Sequence, residues 1–195
     1  MRKATTNISI ALVITLVLQF CAAGCGVDQT ASDSARDRWA RQWPEPVGHG
    51  TEPEARRAAL AMDRLRVQSW VQPAGLHVLA NRRPAAFAWP DRHVYVTTGL
   101  LALLDDDELT AALAHELGHL QARDRHLAAL RGPAADDIET RADELGCELL
   151  KAGGIRPAVL ARALAKVRDA PDTPVQCREA LTHRIEWLRL RDEIQ

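Results

Sequence analysis

The sequence predicts an α+β fold, mostly helical with a small sheet. Three short stretches read as strands and lie close together: Leu76–Ala80, Ala85–Trp89 and His93–Thr98, the last alternating and β-branched. Beyond Gly99 the apolar residues recur mainly at helical spacing. Past the N-terminal segment no second long apolar run occurs, so the remaining residues, about 170, should form one soluble domain with a real core.

The N-terminal segment reads as an export signal. Arg2 and Lys3 precede an apolar run from Ile8 to Phe20, and Ala22-Ala23-Gly24-Cys25 supplies small residues before a cysteine. The run is shorter than the ~20 apolar residues of a membrane-spanning helix. Ala-Ala-Gly-Cys resembles a bacterial lipobox with Ala22 in place of the usual leucine, which predicts lipidation of Cys25, against plain cleavage or a retained anchor. Residues 1–24 are thus a signal, 25–53 a tether with a short helix, and 54–195 the folded domain. Because Gly26 rather than an aspartate follows the cysteine, an outer-membrane lipoprotein facing the periplasm is expected.

The chain has 25 Lys and Arg against 26 Asp and Glu, a net charge of −1; losing Arg2 and Lys3 and no acid takes it to −3. With no long basic run, nucleic-acid binding is excluded. Of four cysteines, Cys147 and Cys177 lie in the body, where an exported pair is either a disulfide or two buried thiols.

In chain order, Pro44 to Pro53 reads as a loop. Glu54 to Val71 is an amphipathic helix with Ala58, Met62, Leu65 and Trp70 among arginines, stopped by Pro73-Ala74-Gly75. After the strands, Asp105 and Glu108 form an Asp-x-x-Glu capping signal for a core helix carrying Leu109, Leu113, Leu117 and Leu120. Another helix runs from near Ala134 to about Lys151 and ends at Gly153-Gly154. Pro157 to Val167 is a third, and Thr182 to Ile194 a terminal one with Ile185, Trp187, Leu188 and Leu190 as candidates for burial.

The core helix holds the chemistry: His115-Glu116-Leu117-Gly118-His119. Histidines four apart share one helical face and reach one metal ion, and Glu116 beside the first can take a proton from a metal-bound water. A buried histidine pair needs a partner, and a zinc ion is the economical one. A catalytic zinc takes three protein ligands and leaves one open position. Glu139, twenty residues beyond His119, is the best third ligand, since the chain has room to turn and return a second helix. Asp143 lies on the same face one turn later and can accept a hydrogen bond from a ligand histidine, fixing its tautomer. Asp136 and Asp137 compete with Glu139, but sit where helix starts attract acids anyway.

Ala86-Phe87-Ala88, Tyr95 through Leu101, Asp107-Glu108-Leu109, the His-Glu-Leu-Gly-His motif and Glu139 through Gly146 together carry a resemblance. From about Leu76 to Leu190 the chain resembles the gluzincin metalloproteases, the family of CAAX prenyl proteases and HtpX-type heat-shock proteases. It is most similar to their soluble periplasmic branch, that of the β-barrel assembly-enhancing protease. The resemblance implies a zincin-like minimal domain whose sheet edge borders the active-site helix, one zinc per chain on His115, His119 and Glu139, and Glu116 as base. It implies action on extended or unfolded polypeptides lying along the strand His93–Thr98, and quality control of cell-envelope proteins. There are departures. Ala85 stands at the family's asparagine, Arg123-Asp124 replaces an Arg-His pair, and Thr182-His183-Arg184 replaces a His-Pro followed at a distance by arginine. The resemblance makes His183 a candidate to contact the scissile carbonyl or the metal, against a helix-cap or surface histidine. Arg184 reads as an exposed charge. His49, His77, His93 and His126 read as structural or solvated. The rival reading is a periplasmic chaperone or binding module whose zinc is structural or is plugged by His183 as a fourth ligand.

Overall fold

The computed structural model describes residues 48–66, 75–88, 92–129, 135–173 and 175–193. The segment expected to be a signal, with Cys21 and Cys25, the expected tether up to residue 47, and Trp70 lie outside them. The elements are β1 (Gly48–His49), α1 (Glu52–Arg66), β2 (Leu76–Ala80), β3 (Ala86–Ala88), β4 (Val94–Thr97), α2 (Thr98–Leu103), α3 (Asp106–Ala129), α4 (Ala135–Ala152), α5 (Ala158–Asp169) and α6 (Val175–Glu193). The architecture is α+β, with helices dominating and a small mixed sheet. Among the described residues no helix is long and apolar enough to cross a membrane.

Local chemistry explains most boundaries. The Thr51 amide and hydroxyl both donate to Glu54 Oε2 at 2.7 Å, starting α1 two residues earlier than the apolar pattern indicates. Ala58, Ala61, Met62 and Leu65 form its buried stripe at helical spacing. Thr97 caps α2, its hydroxyl accepting the Leu100 amide at 3.2 Å. The expected cap of α3 is a reciprocal box: the Asp105 amide donates to Glu108 Oε2 and the Glu108 amide to Asp105 Oδ1, each at 2.9 Å. Glu108 is buried, and Lys166 of α5 reaches its Oε2 at 2.5 Å, pinning the start of α3 to α5. Gly154 at φ 74° ends α4, with the Ile155 amide donating to the Leu150 carbonyl at 2.8 Å.

Two expectations need correction. The terminal helix begins at Val175, not Thr182. Thr182 is interior, its hydroxyl donating to the Arg178 carbonyl one turn back at 2.8 Å, so a residue suited to starting a helix is accommodated inside one. The second correction concerns the sheet. Its order is β1-β2-β4-β3, with β2 and β4 parallel and the other pairs antiparallel. The strand predicted as His93–Thr98 is therefore interior, and no polypeptide can add to it. Among the described residues the free edge beside α3 is β3. The parallel β2–β4 pair makes β4 central, and β3, entering between them in sequence, is left outside.

Val94 and Val96 of β4 are buried in the same core as Leu109 and Leu113 of α3, Leu149 and Leu150 of α4, Leu160 of α5, and Ile185 and Leu188 of α6. Trp187 is half-buried and Leu190 is exposed.

Candidate metal centre

α3 crosses α4 at very short range. A Cβ on Gly118 would lie 2.4 Å from the Ala142 carbonyl oxygen, and one on Gly146 would lie 3.1 Å from the His115 amide nitrogen. Two glycines facing backbone thus let the helix axes approach, and this brings Glu139 and Asp143 of α4 against the histidines of α3.

The donor atoms converge. His115 Nε2 lies 3.5 Å from Glu139 Oε2, and His119 Nε2 lies 3.3 Å from Glu139 Oε1. One ligand atom from each of His115, His119 and Glu139 falls within 4.8 Å of the others. A tetrahedral zinc with bonds of ~2.1 Å spaces its ligands about 3.4 Å apart, so the donor types and the two histidine–Glu139 distances fit that ion. The two imidazoles stand nearly perpendicular, at 82°. Asp143 is fully buried and its Oδ1 lies 2.7 Å from His115 Nδ1. It accepts the Nδ1 proton and leaves the Nε2 lone pair for a metal, as its helical spacing predicts. Glu116, buried, is on the same helix. The side chains of Asp136 and Asp137, the competing ligands, lie outside the described residues.

His183 is exposed on α6 with Glu186 and Leu190, and the residue that α6 delivers to the centre is Arg184. Arg184 Nε lies 2.8 Å from Asp143 Oδ2, its Nη2 2.6 Å from Oδ1, and its Nη1 2.8 Å from Glu139 Oε2. Nη2 is also 3.1 and 3.3 Å from the two ring nitrogens of His115, near-equal distances that place it beside the ring and not along one lone pair. Leu181, Ile185 and Leu188 signal this face. Their helical spacing turns 184 inward and leaves 183 roughly 100° away on the outer side. The sequence reading made Arg184 an exposed charge; it is instead the fork that holds Asp143 and Glu139.

The electrostatics follow from burial and pairing. Burial works against the Asp143 and Glu139 carboxylates, but contacts with His115, His119 and Arg184 outweigh it. Both are held below the usual carboxylate range, Glu139 well below. Burial and Arg184 oppose charge on His115, yet Asp143 raises it above the ordinary imidazole value. Burial likewise opposes charge on Arg184, and Asp143, Glu139 and Glu116 together push it up.

Cys147 and Cys177 are not bridged, so the disulfide alternative is not the one the structure adopts.

Residues 62–134, from α1 through the motif helix, match the model of peptidase family M48. Over this stretch the chain is similar to peptidase family M48. A protease HtpX homolog of Acidiphilium cryptum is 36% identical over 113 residues, which is 56% of this chain and 38% of that protein. The protease HtpX homolog 1 of Saccharolobus solfataricus is 35% identical over 99 residues, 44% of this chain and 32% of the relative. A protease HtpX homolog of Desulforapulum autotrophicum is 46% identical over 81 residues, 37% of this chain and 26% of the relative. The chain thus spans less than two fifths of the length of these curated relatives.

Proposed function

We propose that this chain is a zinc-dependent endopeptidase of the gluzincin type, with a zincin-like arrangement of helix and sheet edge, acting on extended polypeptides. The observation that carries the reading is the convergence of His115 Nε2 and His119 Nε2 on the Glu139 carboxylate, at 3.5 Å from Oε2 and 3.3 Å from Oε1, with Glu116 on the same helix.

His115, His119 and Glu139 would hold the metal. When bound, zinc polarises the substrate carbonyl and lowers the pKa of a bound water toward ~7. Glu116 takes the water's proton and passes it to the leaving amine. Asp143 holds His115 in the tautomer with Nε2 free. Arg184 keeps Asp143 and Glu139 in place with charge-assisted bonds, so neither carboxylate needs to rotate for the ligand set to form. The polypeptide pairs with the β3 edge, where backbone bonds are largely indifferent to side chains.

Such indifference suits the removal of unfolded or misassembled cell-envelope proteins, the role of the soluble periplasmic branch. Export through residues 1–24 and an outer-membrane lipid anchor on Cys25 complete the reading. In the chaperone alternative the zinc is structural or plugged by His183, and the exposed position of His183 on α6 disfavours the plugged form. The deciding experiment is digestion of unfolded casein by the mature protein with and without chelator. Cleavage lost on chelation and restored by zinc is expected; cleavage indifferent to chelator would overturn the reading.

A further inference from the structure

The stripe of α3 that carries the two histidines continues toward the start of the helix. Glu108, Ala112, His115 and His119 recur at steps of four, three and four, so they share one face. At ~1.5 Å per residue, Glu108 lies about 10 Å along the axis from His115. Its side chain leans further toward the start of the helix, where Oε2 accepts the Asp105 amide at 2.9 Å. Between Glu108 and the histidines the stripe holds only Ala112, whose single methyl is partly exposed. No bulky side chain of this stripe therefore stands between the candidate metal centre and Glu108.

Two cations of α5 meet at Glu108, and they differ in what they do there. Lys166 Nζ lies 2.5 Å from Oε2, a charge-assisted bond that neutralises the buried carboxylate. Arg162 Nε lies 3.8 Å from Oε1, beyond hydrogen-bond distance. The Arg162 side chain is half-exposed. Among the described residues no acceptor lies within hydrogen-bond reach of its donors. Asp105, the other acid at this end of α3, has its Oδ1 engaged by the Glu108 amide at 2.9 Å. A guanidinium grips a carboxylate in a planar fork of two bonds, so its donors select by geometry even where neighbouring acids balance its charge.

We propose that Arg162 is a specificity-determining residue, selecting polypeptides that carry an acidic side chain three or four residues from the bond held at the metal centre. The proposal rests on the reading that extended polypeptides cross that centre beside α3. An extended chain advances ~3.3 Å per residue, so the distance of about 10 Å corresponds to three residues, and the lean of Glu108 adds up to one more. The methyl of Ala112 leaves the intervening residues unobstructed and unselected. Lys166 stays on Glu108 and fixes α5 against α3, so the guanidinium of Arg162 is presented by a helix already anchored.

The test is binding, independent of turnover. Fluorescein-labelled, C-terminally amidated nine-residue Thr/Ser/Val peptides carrying one Glu or one Gln at each position in turn are titrated into zinc-loaded Glu116→Gln protein, with anisotropy as the readout. Glu is expected to bind about 3- to 10-fold tighter than Gln at one position, between the values for an exposed ion pair and for a bidentate charge-assisted bond. That preference should shrink in high salt and disappear in Arg162→Ala. A flat Glu-against-Gln profile, a profile unchanged in Arg162→Ala, or no peptide binding at all would each overturn the proposal. So would a preference seen only when the Gln peptides are given a free C-terminal carboxylate, because the terminus and not a side chain would then be the group selected. Circular dichroism of Arg162→Ala confirms the fold, and Arg162→Gln, which keeps most of the length and loses the charge, serves if it fails. The casein digestion is read separately. A Glu preference that depends on Arg162, without cleavage, would leave the carboxylate subsite standing and sink the protease.

Discussion

Arg184 Nη2 lies 2.6 Å from Asp143 Oδ1, the oxygen that also sits 2.7 Å from His115 Nδ1. One buried carboxylate oxygen thus joins a guanidinium on α6 to a metal-facing imidazole on α3. The terminal helix thereby contacts the candidate centre, although none of its described residues belongs to the His115–His119–Glu139 group.

Removing Arg184 leaves Asp143 charged and buried. Arg184→Ala should destabilise the protein by about 3–5 kcal/mol in urea unfolding, the range for breaking a buried pair on one side. Arg184→Lys should recover only part of this, because an ammonium cannot form the two parallel bonds to Asp143. Equal stability of Arg184→Ala and wild type would show the fork to be idle.

The metal assignment is tested by separating binding from turnover. One zinc per chain is expected, lost in His115→Ala and His119→Ala together with activity. Glu139→Ala should weaken zinc binding, and Asp143→Asn should do so less, by about 10- to 100-fold. Glu116→Gln should keep the zinc and lose hydrolysis, because the amide cannot take the proton. Stoichiometric zinc in His115→Ala, measured by metal analysis of purified protein, would remove that ligand from the set.

Gly118→Ala tests the helix crossing. The added Cβ would sit 2.4 Å from the Ala142 carbonyl oxygen, a backbone atom that yields only if α4 moves. Overpacking of this kind costs about 1–3 kcal/mol, and the displacement carries Glu139 away from the histidines. Lower thermal stability and weaker zinc binding should appear together. Unchanged zinc affinity would show that the crossing does not set the ligand geometry.

The metal-free protein should be most stable between about pH 4 and pH 6.5, the ordinary carboxylate and imidazole values. Asp143 and Glu139 have lowered values when folded, so their contribution is present above pH ~4 and lost as pH falls through the folded values. His115 has a raised value, so its contribution is complete below pH ~6.5 and lost as pH rises through the folded value. Urea melts of chelator-treated protein across pH 3–9 measure both limbs. Asp143→Asn should flatten them, and an unaltered profile in that variant would refute the assignment.

Thiol titration of denatured, unreduced mature protein should find both Cys147 and Cys177 free. In the native state Cys177 should react slowly, since burial pushes its thiol up. For the N-terminus, Cys25→Ala should release the protein from the detergent phase into the soluble fraction; equal partitioning of variant and wild type would favour plain cleavage.

What the sequence determined by itself is what spacing along one element determines. His115 and His119 share a face because helical residues four apart always do. Glu139 and Asp143 share a face for the same reason, and Asp105 with Glu108 close their box without help from the rest of the chain. Only the tertiary structure decided which elements meet. β4 became interior because β2 and β3 flank it, a long-range pairing that no alternation within His93–Thr98 encodes. His183 and Arg184 differ by one residue and roughly 100° of helix rotation. Packing of Ile185 and Leu188 against the core chose between them, and it brought the arginine to the carboxylates of α4 and left the histidine in solvent.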